Sequence, residues 1–74
     1  MRMKASDVSD VVLSYLKDHA GWAFGRIESI EPDEAKKQWK LVVDVGAIAN
    51  VLKDVIIDDT NGYVIAIRNH KTGT

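Results

Sequence analysis

Two β-branched runs, Val55-Ile56-Ile57 and Val64-Ile65-Ala66-Ile67, flank the polar segment from Asp58 through Asp59-Thr60-Asn61-Gly62 to Tyr63. This stretch constrains the fold more than any other, because it predicts a β-hairpin whose loop length decides which residues reach the core. Pairing that slips by one residue turns every side chain to the opposite face. A two-residue Asn61-Gly62 loop sets Asp58 opposite Ile65, on the apolar side. A three-residue Thr60-Asn61-Gly62 loop sets Val55 and Ile57 against Ile67 and Ile65, with Tyr63 beside them, and gathers the apolar groups on one face. It also places Gly62 at the left-handed end of a type I turn begun by Asp59, where glycine meets no Cβ penalty. The three-residue register is the expected one.

The rest of the chain supplies a layer to pack against this hairpin. From residue 6 to residue 20, Val8, Val11, Val12, Tyr15 and Leu16 recur at helical spacing, with Asp7, Asp10, Ser14, Lys17 and Asp18 mostly off that face. Ser6 suits the N-cap, Asp7 and Asp10 the positive end of the helix dipole, Lys17 and His19 the other end, and Gly21 the stop. Residues 22–31 alternate imperfectly and read as a strand, weakened or bulged at Gly25 and ended by Pro32. Pro32 to Lys37 is a polar turn. Gln38 to Val45 is the cleanest strand, with Trp39, Leu41, Val43 and Val45 on one face and Lys40, Val42 and Asp44 on the other. Gly46 to Asp54 fits a short helical turn, a wide loop or an early start to the third strand.

The expected architecture is therefore α+β: one N-terminal amphipathic helix packed on a four-stranded antiparallel meander sheet. Residues 6–68 form the single domain, between a flexible N-terminus at 1–5 and a flexible tail at 69–74. The expected core is Trp39, Leu41, Val43, Val55, Ile57, Ile65 and Ile67, with Val8, Val11, Val12, Tyr15 and Leu16 from the helix.

Composition narrows the chemistry. A chain of 74 residues buries only about 60% of its unfolded surface, which makes one modest core. There is no cysteine, and the two histidines, His19 and His70, stand far apart, a poor start for a metal site. A net charge of −1, with basic and acidic residues interleaved, favours neither nucleic acid nor an anionic membrane. No apolar run resembles a signal peptide or reaches membrane-spanning length, so a cytoplasmic protein is expected. Asp58-Asp59-Thr60-Asn61-Gly62 invites a calcium reading, but counting back from Gly62 as the sixth loop position puts Ile57 first and Arg68 twelfth, where ligands belong. Asp44, Asp54, Asp58 and Asp59 lack the desolvated cleft that general acid–base catalysis needs. Trp22, Phe24, Trp39 and Tyr63 read as core or core-rim groups rather than stacking platforms. The expectation is a non-enzymatic domain without metal or cofactor.

One feature points to a role. A single helix of about fifteen residues is roughly 22 Å long and covers one side of a four-stranded sheet. The other side carries Val42, Ile56, Val64 and Ala66 among Lys40, Asp44, Asp54, Asp58 and Arg68. Strict alternation for water would place polar residues at those four positions. They are the candidate interface, for a protein partner or a second copy of the chain.

These strands resemble those of two families. Gln38-Trp39-Lys40-Leu41-Val42-Val43-Asp44-Val45, followed by the segment from Ala49 to Val64, resembles the gas vesicle protein O family: a Trp-led strand with alternating Val and an acidic residue, then an Asp-Val-Leu-like segment entering a strand that ends in Asp before a glycine turn. Asn50 stands where that family has Asp. Ile57-Asp58-Asp59-Thr60-Asn61-Gly62-Tyr63-Val64 is similar to the last hairpin of PepSY-type domains, with one extra turn residue. The first resemblance implies an accessory protein of gas vesicle assembly that acts by protein contact. The second implies an inhibitory or regulatory module.

Overall fold

The computed structural model describes residues 2–19, 21, 25–46, 48 and 50–70 of the chain. Helix α1 (Ala5–Asp18) is followed by strands β1 (Arg26–Asp33), β2 (Gln38–Asp44), β3 (Leu52–Asp58) and β4 (Val64–Asn69). The strands are antiparallel and lie in the order β1-β2-β3-β4, a four-stranded meander. The expected α+β fold is the one observed. Trp22 and Phe24 lie outside the described residues.

α1 starts one residue before Ser6. Lys4 is the N-cap, and its N–H donates to Asp7 Oδ2 at 3.2 Å, the returning half of a capping box. Val8, Val12 and Leu16 repeat every fourth residue and are buried against the sheet. They join Trp39, Leu41 and Val43 of β2 and Val55 and Ile57 of β3 in one core, with Val11, Ile27, Ile30, Val64 and Ile67 packed partly buried around it. Tyr15, expected in the core, is half-buried at its rim. Full burial of a Leu or Val side chain contributes about 1.5–3 kcal/mol, so this cluster is the main source of stability.

Two bulges determine which face each outer strand presents. In β1, Ile27 and Ile30 are three residues apart and in regular alternation would point to opposite faces. The register shifts between Ile27 and Ser29, so that Ile27 pairs with Val43 and Ile30 with Leu41. Glu28 is the extra residue, and both isoleucines reach the core side. The irregularity expected at Gly25 thus falls three residues later. Pro32 does not end the strand: it pairs with Trp39 inside β1. An edge strand tolerates a residue without an N–H.

The second bulge corrects the expected β3–β4 register. The loop has four residues, Asp59 to Gly62, closed by Gly62 N–H donating to the Asp58 carbonyl at 2.8 Å and Asp58 N–H donating to the Tyr63 carbonyl at 2.9 Å. Gly62 adopts φ +74°, the left-handed conformation the turn requires. Val55 pairs with Ile67 as expected, but Ile57 pairs with Val64, not Ile65. Ile65 is the bulged residue and is 50% exposed, while Val64 packs against the core. The physical reason lies in the loop side chains. Asp58 Oδ1 accepts the Thr60 N–H at 2.7 Å and Asn61 Oδ1 accepts the Tyr63 N–H at 2.9 Å, which shapes a longer turn and leaves Asp59 free to point inward.

Both termini of the described chain are tied down more firmly than the expected boundaries of 6 and 68. Arg2 and Met3 N–H groups donate to Asp59 at 2.6 and 3.0 Å. Asn69 belongs to β4, and His70 N–H donates to the Leu52 carbonyl at 3.0 Å. Residues 71–74 of the expected flexible tail lie outside the described residues.

Candidate functional site

The sheet face turned away from α1 is assembled as cross-strand rows. Glu31, Lys40, Ile56 and Ala66 are successive partners in one row, and Ser29, Val42, Asp54 and Arg68 in the next. Val42 is therefore a diagonal neighbour of Ile56, within reach of side-chain contact. Ile56 pairs with Ala66, and the unpaired Ile65 precedes Ala66 at the bulge. The structure brings three of the four candidate residues, Val42, Ile56 and Ala66, onto this face. It does not bring Val64, which packs against the core, and Ile65 stands at the patch in its place. The exchange follows directly from the bulge.

Charged groups border the apolar patch. The Glu31–Lys40 pair lies on one side, and Asp54 and Arg68 face each other on another. His70 Nδ1 lies 2.6 Å from Asp54 Oδ1, both side chains partly buried. Lys53 donates to Asn69 Oδ1 along the same hairpin.

Two of the four aspartates considered for chemistry are buried and hold backbone N–H groups. Asp44, expected beside the patch, is 2% exposed. Its Oδ1 accepts N–H groups from Gly46 at 2.9 Å and Val51 at 3.1 Å, while Val45 N–H donates to the Val51 carbonyl at 2.9 Å. These contacts tie Gly46 and Val51 to the end of β2, and the last three residues of the ambiguous segment belong to β3, which begins at Leu52. The Gly46 hydrogen bond, then the Val51 one, holds the Asp44 carboxyl below its ordinary range, and Arg26 Nη2 at 3.6 Å adds to this. Asp59 is the other, 3% exposed. Beside the Arg2 and Met3 contacts, its Oδ1 accepts the Trp39 indole N–H at 2.7 Å. The Arg2 N–H and the indole lower its pKa from 3.8 to about 2.

Asp44 and Asp59 sit at opposite ends of the sheet, since Asp44 closes β2 and Asp59 follows Asp58, the partner of Gln38 at the start of β2. A seven-residue strand separates them by roughly 20 Å at about 3.3 Å per residue, so they form no acid–base pair. Among the described residues, no three His, Asp or Glu side chains converge as metal ligands. Sequence reasoning missed both buried carboxylates. The available signal was Trp39, because a buried indole N–H needs an acceptor. Comparison with protein-family models, curated proteins and solved structures finds no match to this chain.

Proposed function

We propose that the chain is a non-enzymatic protein-interaction module that associates through the outer face of its sheet, in the first instance with a second copy of itself. The observation that carries this reading is the contiguous patch of Val42, Ile56, Ile65 and Ala66 on the side that α1 does not cover. Its border holds Glu31, Asp54, Lys40 and Arg68, both signs of charge, so the face is complementary to its own copy turned about a two-fold axis. A foreign partner drawn to the same patch is the second outcome. The resemblance to the gas vesicle protein O family makes that assembly machinery the first foreign partner to test.

The experiment is Ile56→Lys combined with Ile65→Lys. Neither residue belongs to the buried core, so circular dichroism should show an intact fold while light scattering shows loss of the associated species. A well-folded double variant that keeps the wild-type association and every partner would sink the proposal.

A further inference from the structure

His70 extends the outer face by one row beyond the apolar patch. Its N–H donates to the Leu52 carbonyl at 3.0 Å, which continues the β3–β4 ladder. It stands two residues after Arg68, the partner of Asp54, so strand alternation puts both side chains on the face that α1 does not cover. From there Nδ1 reaches Asp54 Oδ1, at the diagonal position on β3, at 2.6 Å. The ring also lines a depression of about 340 Å³ together with Val42 of the patch, Lys40 of β2, and Glu28, Ser29 and Glu31 of β1. His70 is thus an ion-pair partner of Asp54 and part of the wall beside the patch.

The charges of this face do not balance. Its rows and the β1 bulge hold Glu28, Glu31, Asp33, Asp44, Asp54 and Asp58 against Arg26, Lys40 and Arg68. Six carboxylates against three cations leave an excess of three negative charges when His70 is neutral and of two when it is protonated. The chain as a whole carries only −1, so the excess belongs to this face. Two copies laid face to face repel in proportion to the product of their charges, and a proton on each His70 cuts that product by roughly half. The charged groups that face His70 are Asp54 from β3, Arg68 from β4, Lys40 from β2, and Glu28 and Glu31 from β1.

We infer that His70, paired with Asp54, gates self-association through the outer face, so that two copies join more tightly in mild acid than in mild base. The inference rests on the outer-face reading given above and adds its regulation. Histidine is the side-chain type on this face whose charge changes between about pH 5 and 8. The proton it gains enters the ion pair with Asp54, offsets one carboxylate of the excess, and leaves the Val42, Ile56, Ile65 and Ala66 patch untouched. Association therefore takes up protons, and acid favours it by mass action.

The test is sedimentation equilibrium of the full chain at low salt, at about pH 8 and about pH 5.5, with circular dichroism as the check on folding. The dissociation constant of the wild type should fall by about threefold or more between the two, the scale of one exposed charge on each protomer. His70→Gln should remove that difference, which also excludes His19, on α1 at the other side of the sheet. Asp54→Asn takes one carboxylate from the face as protonation of His70 does, so it should tighten association at the higher pH; a merely structural Asp54–His70 contact would give the opposite sign. Association that is flat in pH, that weakens in acid, or that keeps its pH dependence in His70→Gln overturns the gating. If such association is still lost in the Ile56→Lys, Ile65→Lys variant, the outer-face reading survives without it. Absence of association at both pH values, or association that the double lysine variant leaves intact, overturns the two together.

Discussion

The Trp39 indole N–H donates to Asp59 Oδ1 at 2.7 Å, and both residues are buried, one in β2 and the other in the loop between β3 and β4. The same carboxylate accepts the Arg2 and Met3 N–H groups, so one side chain joins the segment before α1, the central strand and the hairpin loop. Trp39→Ala removes both a large core side chain and a partner of this carboxylate. It should cost roughly 3–5 kcal/mol, the range for such truncations. Denaturant unfolding measures it, and an unchanged midpoint would refute the core role of Trp39.

The pH dependence follows from the same contacts. The folded-state pKa of Asp59 is lowered from 3.8 to about 2, chiefly by the Arg2 N–H and then by the Trp39 indole, and that of Asp44 is lowered by the Gly46 and Val51 N–H groups. A depressed folded pKa contributes stability that is fully present above the unfolded value and is lost as pH falls through the folded one. The melting temperature should therefore decline as pH drops from the ordinary carboxylate range toward about 2. Asp59→Asn should lower the neutral-pH melting temperature and flatten that decline; a variant that melts with the wild-type pH profile would show that Asp59 does not hold the loop.

Two turn positions should respond in opposite directions to glycine. Gly62 has φ +74°, and a Cβ there would meet only Met3 Cε and Sδ at 3.8 Å, ordinary contact distance. Space is available, so the cost of Gly62→Ala is the left-handed backbone, about 1–2 kcal/mol, with more for Gly62→Val. Lys37 holds φ 53° in the β1–β2 turn. Lys37→Gly relieves that strain and loses part of the gain to the unfolded chain's greater freedom, for a net stabilisation below about 1 kcal/mol. Thermal melts of both variants would check the pair of signs.

Val64 and Ile65 distinguish the bulged register from the regular one. Val64→Lys pushes a charge against the core and should destabilise the domain measurably, whereas Ile65→Lys, at a position half exposed, should stay within about 0.5 kcal/mol of wild type. The reverse order of stabilities would mean that Ile57 faces Ile65 after all.

The sequence by itself determined the helix, the four strands and their meander order, and the left-handed Gly62. Each depends on periodicity over a few residues or on the chemistry of a single turn, and these are local. Val8, Val12 and Leu16 declare a helix face wherever the helix packs, and Asn61-Gly62 declares a turn whichever strands it joins. The tertiary structure alone decided which of Val64 and Ile65 enters the core, how Ile27 and Ile30 share a face, and what Asp44 and Asp59 do. A bulge changes facing at small local cost, so its placement is set by packing against α1 and by loop hydrogen bonds rather than by alternation along the strand. Asp44 takes its donors from Gly46 and Val51 close by in the chain, whereas Asp59 is buried where distant donors converge on it. Asp59 finds them in Trp39 and in the N–H groups of Arg2 and Met3, brought together by the fold and separated in the chain by 20 residues or more.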